Sequence, residues 1–502
     1  MRNNRALRAK LNIKTTLLSQ LVVVLCGLIV PRIMIDAYGS ESYGAISSIT
    51  QFLAYITLLE CGIGGVARAV LYKPLAKNDI NTVNVIMKEI KRFFKIIAFI
   101  FVIYVICLAG AFKTISGISV LDWLSTFLLV IAISISVFGQ YFFGISNEIL
   151  LQAAQKKYVV NVVSISCIVL NTISTIFLVF QGYSLLTVKF VSGIIFLIRP
   201  FILQRYVRKH YEICNVFLTE GKSYLTQKWV GLGQHISYFL HSNTDIVVLT
   251  LCTNLKIVAV YSLYNMIVSH IQNLTISFSS GMEAVFGDML AREEKKELND
   301  AFNIYEGIIS IIAIILFSIT LILIVSFVEL YTQGVLDVDY KRPLFAFLMV
   351  LASLSYCLRL PYHAMVIAAG HFKQTNIAAY GEALLNLVLS IILVYEYGLV
   401  GVVIATLVAL WFRFIYYVTY LSENIFYRNK RLFYKRFLIN TFNFTCNCFI
   451  GYKITELFNI DNYFQWAFCG CCLVIALSLV TIIFNFVFYK NEFQMIIGKL
   501  IK

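Results

Sequence analysis

Seven basic and four acidic side chains sit where the chain is otherwise apolar. The bases are Arg32, Arg68, Lys189, Arg199, Arg359, Arg413 and Lys453; the acids are Asp36, Glu60, Asp245 and Glu382. A charge costs about 3 kcal/mol at the centre of a bilayer unless it meets water or a partner. Such residues therefore mark a wet cavity or an ion pair. Arg68, Arg199 and Arg413 fall near the inner ends of their apolar runs, where long side chains reach headgroups, and Arg32, Asp36 and Lys453 lie near an edge. Glu60, Lys189, Asp245, Arg359 and Glu382 lie deeper. Arginine suits oxyanions, because its planar fork binds them bidentately and stays protonated. A cavity lined by several such bases suits an anionic, phosphate-bearing ligand. Charge pairing between helices is the competing reading, and both stand at this stage.

The stretch "LLECGIGGVARAVLYK", 58–73, concentrates the question. Eight residues separate Glu60 from Arg68. On one helix that is just over two turns, about 12 Å along one face. The glycines Gly62, Gly64 and Gly65 read as a surface for close helix approach. No strand precedes them, as a dinucleotide fold would require. Pro361, in "CLRLPYH", removes a helix hydrogen bond and predicts a kink beside Arg359.

The elements that must position these groups are membrane helices. Of 502 residues 60% are hydrophobic and 13% charged, and mean hydropathy is +0.82. The apolar residues come in runs of roughly 20, the length that crosses a bilayer. The first run lacks a small-residue cleavage site and reads as a span, not a signal peptide. Fourteen spans are predicted, near 14–34, 42–71, 93–112, 121–144, 159–180, 184–203, 225–251, 257–280, 304–327, 342–369, 377–397, 398–421, 437–457 and 464–488. Gln227, Lys228, Gln234, His235, His241 and Asp245 dilute the seventh. With the N-terminus inside, the outside loops hold only Lys113, Lys256, Lys341 and Arg342; apart from the seven bases within the spans, the rest of the 41 Lys and Arg fall inside. That bias fixes orientation, both termini being cytoplasmic. It also accounts for the net charge of +15 as a face beside anionic headgroups, so no nucleic acid is implied.

A shift of 215 residues lays 153–180 over 368–395. It matches Ala153/Ala368, Ala154/Ala369, Asn161/Asn376, Leu170/Leu385, Asn171/Asn386, Ile176/Ile391, Leu178/Leu393 and Val179/Val394. These segments open the fifth and eleventh spans, so the repeat is parallel. The expected fold is an all-α polytopic membrane protein with two six-helix lobes, 1–215 and 216–422, and two further helices in 423–502. Parallel repeats facing a cavity are a transporter plan. The outside loops leave no room for an extramembrane domain, and the phosphate-cradling GxxxxGK[ST] is absent. Of the 12 cysteines most lie within spans, and "CGCC" at 469–472 lacks His or acidic neighbours at ligand spacing, so no metal site is read. The six histidines, His210, His235, His241, His270, His363 and His371, form no HxxxD or HExxH arrangement, which argues against a membrane transferase.

The opening 57 residues of this pattern, with Pro31-Arg32, Tyr43-Gly44, and Gly62, Gly64, Gly65 followed by Arg68, resemble the bacterial polysaccharide flippases, the O-antigen (Wzx-type) transporters. Their superfamily, the multidrug/oligosaccharidyl-lipid/polysaccharide exporters, also holds multidrug extrusion transporters and peptidoglycan-precursor flippases. The resemblance implies no enzyme. It implies an inner-membrane flippase that moves an undecaprenyl-pyrophosphate-linked oligosaccharide by alternating access, beside membrane lipids and in company with a polymerase and chain-length regulator. Arg32, Glu60, Arg68, Lys189, Arg199, Arg359 and Arg413 become candidates for phosphate and sugar. Tyr55, Tyr141, Tyr264 and Tyr356 become candidates for stacking on sugar rings. No cofactor is implied beyond a coupling ion, Na+ or H+, for which Asp245, Glu382, Asn386 and Thr406 are candidate ligands. Pairing of Asp245 and Glu382 with His241 or Arg359 is the competing reading. A multidrug extrusion transporter is the alternative function, and the excess of buried bases over acids argues against it.

Overall fold

A computed structural model describes residues 2–60, 63–211, 232–279, 281–426 and 430–489. Among them every regular element is helical. In order they are α1 (Arg2–Ala54), a 3-10 turn (Tyr55–Glu60), α2 (Ile63–Lys77), α3 (Ile80–Ser116), α4 (Trp123–Gly139), a π turn (Gln140–Gly144), α5 (Ile145–Ala153), α6 (Lys157–Phe180) and α7 (Leu185–His210). There follow α8 (Leu232–Cys252), α9 (Leu255–Ser279), α10 (Met282–Ala291), α11 (Lys295–Tyr331), α12 (Pro343–Ala368), α13 (Phe372–Asn424), α14 (Arg431–Thr455) and α15 (Tyr463–Phe488). Nine helices among the described residues are long and apolar enough to cross a membrane. Two of these are double-length and change direction at a glycine with positive φ, Gly39 (φ 80°) in α1 and Gly398 (φ 53°) in α13. A side chain there would clash with its own backbone, so glycine sets both corners. α8, α9 and α14 fall on the remaining predicted spans. The chain is an all-α, multi-pass membrane protein.

It divides into two compact units. Unit 1 comprises Met1–Phe239 with Thr253–Ala259, and unit 2 comprises Leu240–Cys252 with Val260–Lys502. The core of unit 1 is built on Phe94, Phe101, Phe112, Leu129 and Leu203. Unit 2 has one core around Phe302, Tyr362, Phe414 and Tyr417 and another where α15 meets α11, around Leu323, Leu473 and Leu477. There Trp466 Nε1 donates to the Leu323 carbonyl at 3.2 Å.

The 215-residue repeat is carried by the backbone. α3 and α11 have 37 residues each, and both their ends stand 215 apart. The residue two positions before each helix has positive φ, Asn78 (54°) and Glu293 (59°). The same cap bond follows, Asp79 N to Pro74 O (3.0 Å) and Glu294 N to Met289 O (3.1 Å). The α5–α6 and α12–α13 corners repeat this geometry at Gln155 (φ 60°) and Gly370 (φ 68°), with Lys156 N to Leu151 O (2.7 Å) and His371 N to Val366 O (3.2 Å). These bonds satisfy carbonyls that a helix end leaves open.

Two local expectations fail. The Glu60–Arg68 stretch is not one α-helix, because Glu60 belongs to the 3-10 turn and Arg68 to α2. Gly64 and Gly65 have nothing within 4 Å of an added Cβ, so they admit no neighbouring helix; Gly62 lies outside the described residues. Close approaches occur at other glycines, as at Gly44, where a Cβ would stand 1.8 Å from the Leu255 carbonyl oxygen, and at Gly193, where it would stand 2.6 Å from that of Ala132. α12 runs through Pro361 without a non-helical residue. Its neighbours Arg359, Leu360 and Tyr362 are all buried.

Candidate functional site

Within unit 1 a cavity of about 370 Å³ is lined by Thr50, Thr57, Ser136, Tyr141, Lys189 and Ser192 among apolar side chains. Lys189 comes from α7 and is half-buried; no carboxylate lies within ion-pair distance of it among the described residues. Two helix irregularities meet beside this cavity. The Tyr141 hydroxyl, on the π turn, donates a hydrogen bond to Glu60 Oε1, at the end of the 3-10 turn. Tyr104 OH donates to the Phe52 carbonyl (2.8 Å), satisfying an acceptor where α1 gives way. Irregular turns inside membrane helices survive where other groups meet the freed backbone, and they gather at functional sites.

The other sequence candidates of unit 1 divide by partner. Arg68 Nη1 donates to Gln152 Oε1 at 2.8 Å; this neutral amide leaves its charge uncompensated. Arg199 Nη2 meets Glu148 Oε1 at 2.5 Å, and Glu148 also accepts from Gln140 Nε2 at 2.9 Å. Arg32 Nε pairs with Asp36 Oδ2 at 3.0 Å, one turn along α1.

Unit 2 buries two polar clusters about one helical turn apart on α13, since Glu382 and Asn386 differ by about 6 Å of rise. Gly398 turns the second half of α13 back along the first, so that residues far apart in sequence face each other. In the first cluster Glu382, with no exposed surface, takes Arg359 Nη1 on Oε1 (2.7 Å) and Arg413 Nη1 on Oε2 (2.5 Å). Arg359 lies over the Tyr356 ring, 5.2 Å from its centroid. Arg413 Nε donates to Tyr417 OH at 2.8 Å. In the second cluster the Asp245 carboxylate accepts from Tyr261 OH (2.8 Å on Oδ2) and from Thr406 Oγ1 (3.0 Å on Oδ2, 3.2 Å on Oδ1). Ser390 Oγ donates to Asn386 Oδ1 at 2.9 Å, and Thr406 Oγ1 lies 3.5 Å from the same oxygen. Hydroxyls hold Asp245, with the Asn386 side chain beside it; the side chain of His241 lies outside the described residues, as do Gln227, Lys228 and the side chains of Gln234 and His235.

Of the four candidate ion ligands, then, Asp245, Asn386 and Thr406 come together, while Glu382 stands one turn away between two arginines. Arg413 is 3% exposed and does not reach for headgroups; Glu382 keeps it in the core. Among the candidate stacking aromatics, Tyr264 is fully buried with its hydroxyl on the Tyr340 carbonyl (2.9 Å), and it offers no face to a ligand. Tyr55 packs edge-on against Phe239. Sequence reasoning missed Glu148, Tyr261, Ser390 and Glu306. Glu306 is buried in α11, where it accepts from Tyr362 OH and pairs with Arg436 of α14. Its acid inside the apolar run 304–327 was a visible signal. Glu148 was not, because it lies past the predicted end of its span.

No family model matches the chain, and no curated protein matches it either. Solved structures do. The lipid II flippase MurJ, in an inward closed conformation, shares 15% identity at a TM-score of 0.69, covering 96% of this chain and 99% of that one. An inward-facing multidrug resistance transporter of the MATE family, in the MOP superfamily, shares 14% at 0.61 over 80% and 95%. A MOP superfamily transporter from Pyrococcus furiosus, titled for the reverse polarity of its binding pocket, shares 14% at 0.57 over 83% and 96%. These neighbours are flippases and transporters, and the chain shares the fold of the MOP superfamily.

Proposed function

We propose that this protein flips an undecaprenyl-pyrophosphate-linked oligosaccharide from the cytoplasmic to the periplasmic leaflet of a bacterial inner membrane, for O-antigen or a related surface polysaccharide. The observation that carries the proposal is the pair of unit 1 cations without a carboxylate partner, Arg68 and Lys189, the latter on a cavity wall among hydroxyls. Sugar hydroxyls and phosphates cannot cross bare hydrocarbon, because nothing there replaces their hydrogen bonds to water. A cavity of hydroxyls and fixed cations replaces them. The fold shared with a lipid II flippase supports a lipid-linked cargo. Arg32, Arg199, Arg359 and Arg413 each have a carboxylate partner and would serve the phosphate only by exchanging it. Asp245, Asn386 and Thr406 offer the oxygen donors that suit Na+, or a carboxylate that takes up H+. Occupancy there would drive the cycle. The alternative, cation-coupled drug extrusion, draws on the fold shared with a MATE transporter and on the uncompensated Asp245.

The test is reconstitution in vesicles carrying the lipid-linked oligosaccharide, with glycan exposure read by an impermeant glycosidase. Wild type should expose the glycan, and Lys189→Gln and Arg68→Gln should each slow exposure about tenfold, a loss of ~1.4 kcal/mol. Exposure at the wild-type rate by both variants would end the reading. Accumulation of a cationic dye with no movement of the glycan would establish extrusion instead.

A further inference from the structure

Lys91 and Lys95 stand one turn apart on α3, and Arg208 lies near the end of α7. Lys91 lies within electrostatic reach of both Lys95 and Arg208. No acid pairs with any of the three among the described residues, whereas the exposed cations Arg292 and Lys430 have Asp288 and Glu423. Like charges at this helical spacing repel, and Lys91 is half-buried, which deepens the cost. Lys95 is further fixed by Phe142, whose ring centroid lies 5.1 Å from its Nζ and which Phe99 packs edge-on.

Immediately beyond these cations α3 exposes Ile96, Phe99 and Ile103, at 52%, 61% and 66%, and α7 exposes Phe201 and Ile202. Cations at one end of an exposed apolar stripe have the order of a lipid molecule, phosphate then acyl chains. The basic bias places this end of α3 at the cytoplasmic leaflet.

We propose that Lys91, Lys95 and Arg208 form a binding site for the headgroup phosphate of an anionic phospholipid of the cytoplasmic leaflet, with its chains along the Ile96–Phe99–Ile103 stripe. This site is separate from the cavity proposed to receive the glycan, and it does not depend on which cargo the protein carries. A structural annular lipid here would hold the cytoplasmic end of α3 in register with the bilayer surface.

Native mass spectrometry of the purified full-length chain, titrated with phosphatidylglycerol or phosphatidylcholine, tests it. Wild type should retain one phosphatidylglycerol in preference to phosphatidylcholine. Each lysine removed should weaken that retention roughly fivefold, so that the double variant Lys91→Gln/Lys95→Gln loses it. Arg208→Gln, at an exposed position, provides a milder second variant, and high salt should release the lipid from wild type. Equal retention of the two lipids, retention unchanged in the variants, or retention indifferent to salt would overturn the proposal. Displacement of phosphatidylglycerol by equimolar undecaprenyl phosphate would also overturn it, by assigning the site to the polyprenyl lipid.

Discussion

Units 1 and 2 use one backbone plan and opposite charge chemistry. Tyr141 and Tyr356 stand 215 residues apart, as do Gly144 and Arg359, Cys167 and Glu382, and Asn171 and Asn386. The asparagines keep one job: Asn171 accepts from Ser192 on the next helix (2.6 Å), and Asn386 faces Thr406 on the second half of α13. The other pairs diverge. In unit 1 Gly144 leaves room for the Gln140 side chain, whose amide reaches Glu148. In unit 2 the corresponding positions carry the Arg359–Glu382 ion pair. Small residues in unit 1 accompany a cavity with an unpaired lysine, and large charged ones in unit 2 accompany a buried ion-pair cluster. Duplication preserved the caps and helix lengths, where any change would disturb the whole helix. The inward side chains do not repeat, and the buried charges differ with them.

The sharpest way to break this comparison is to remove the acid from each unit. Glu382→Gln leaves two guanidiniums buried against one neutral amide and should cost about 3–5 kcal/mol. Glu148→Gln in unit 1 leaves Arg199, whose side chain is 27% exposed, with solvent and the new amide; about 1–2 kcal/mol is expected. Thermal unfolding of both variants in detergent measures the difference. Equal losses would mean that burial does not separate the two units.

The helical frame was legible in the sequence because hydropathy and basic residues report on a solvent, the bilayer, that acts on every span alike. The corners at Gly39 and Gly398 were legible only as glycines near span ends. What remained hidden was set by contacts distant in sequence. Nothing in "YITLLE" forbids a regular helix; the 3-10 turn goes with the bond from Tyr141, 81 residues on. The pairing of Glu382 with Arg413 spans 31 residues and exists only because Gly398 reverses the chain between them. Orientation of charges toward a cavity or toward each other is a property of helix rotation, which composition does not carry.

A smaller effect sharpens the backbone half of the comparison. Gln155 and Gly370 occupy the same left-handed corner, one with a side chain and one without. Gly370→Ala should cost ~1 kcal/mol, because an L residue is strained there. Gln155→Gly relieves that strain and should be neutral or stabilising by up to ~1 kcal/mol, the gain being offset in part by glycine's freedom in the unfolded chain. Nothing lies within 4 Å of a Cβ added at Gly370, so a steric clash does not confuse the result. Shifts of the same sign in unfolding midpoint would show that the two corners are not equivalent.

The smallest effect lies at the helix starts, Asp79 before α3 and Glu294 before α11. Asp79 Oδ1 accepts from Thr82 N (3.0 Å) and Oδ2 from Thr82 Oγ1 (2.6 Å), whereas Glu294 caps nothing with its side chain. Those bonds favour the ionised carboxylate and hold the Asp79 pKa below its ordinary value. A depressed folded pKa means stability that is fully present above the unfolded value, near 3.9, and lost as pH falls through the folded one. Asp79→Ala should therefore lower the unfolding midpoint slightly at pH 7, and the gap from wild type should close below about pH 4. Glu294→Ala should leave the midpoint unchanged at both pH values. The aspartate reaches the Thr82 donors in the first helical turn and the glutamate caps nothing, so a pH-dependent gap at Glu294 as well would mean that the two starts are capped alike.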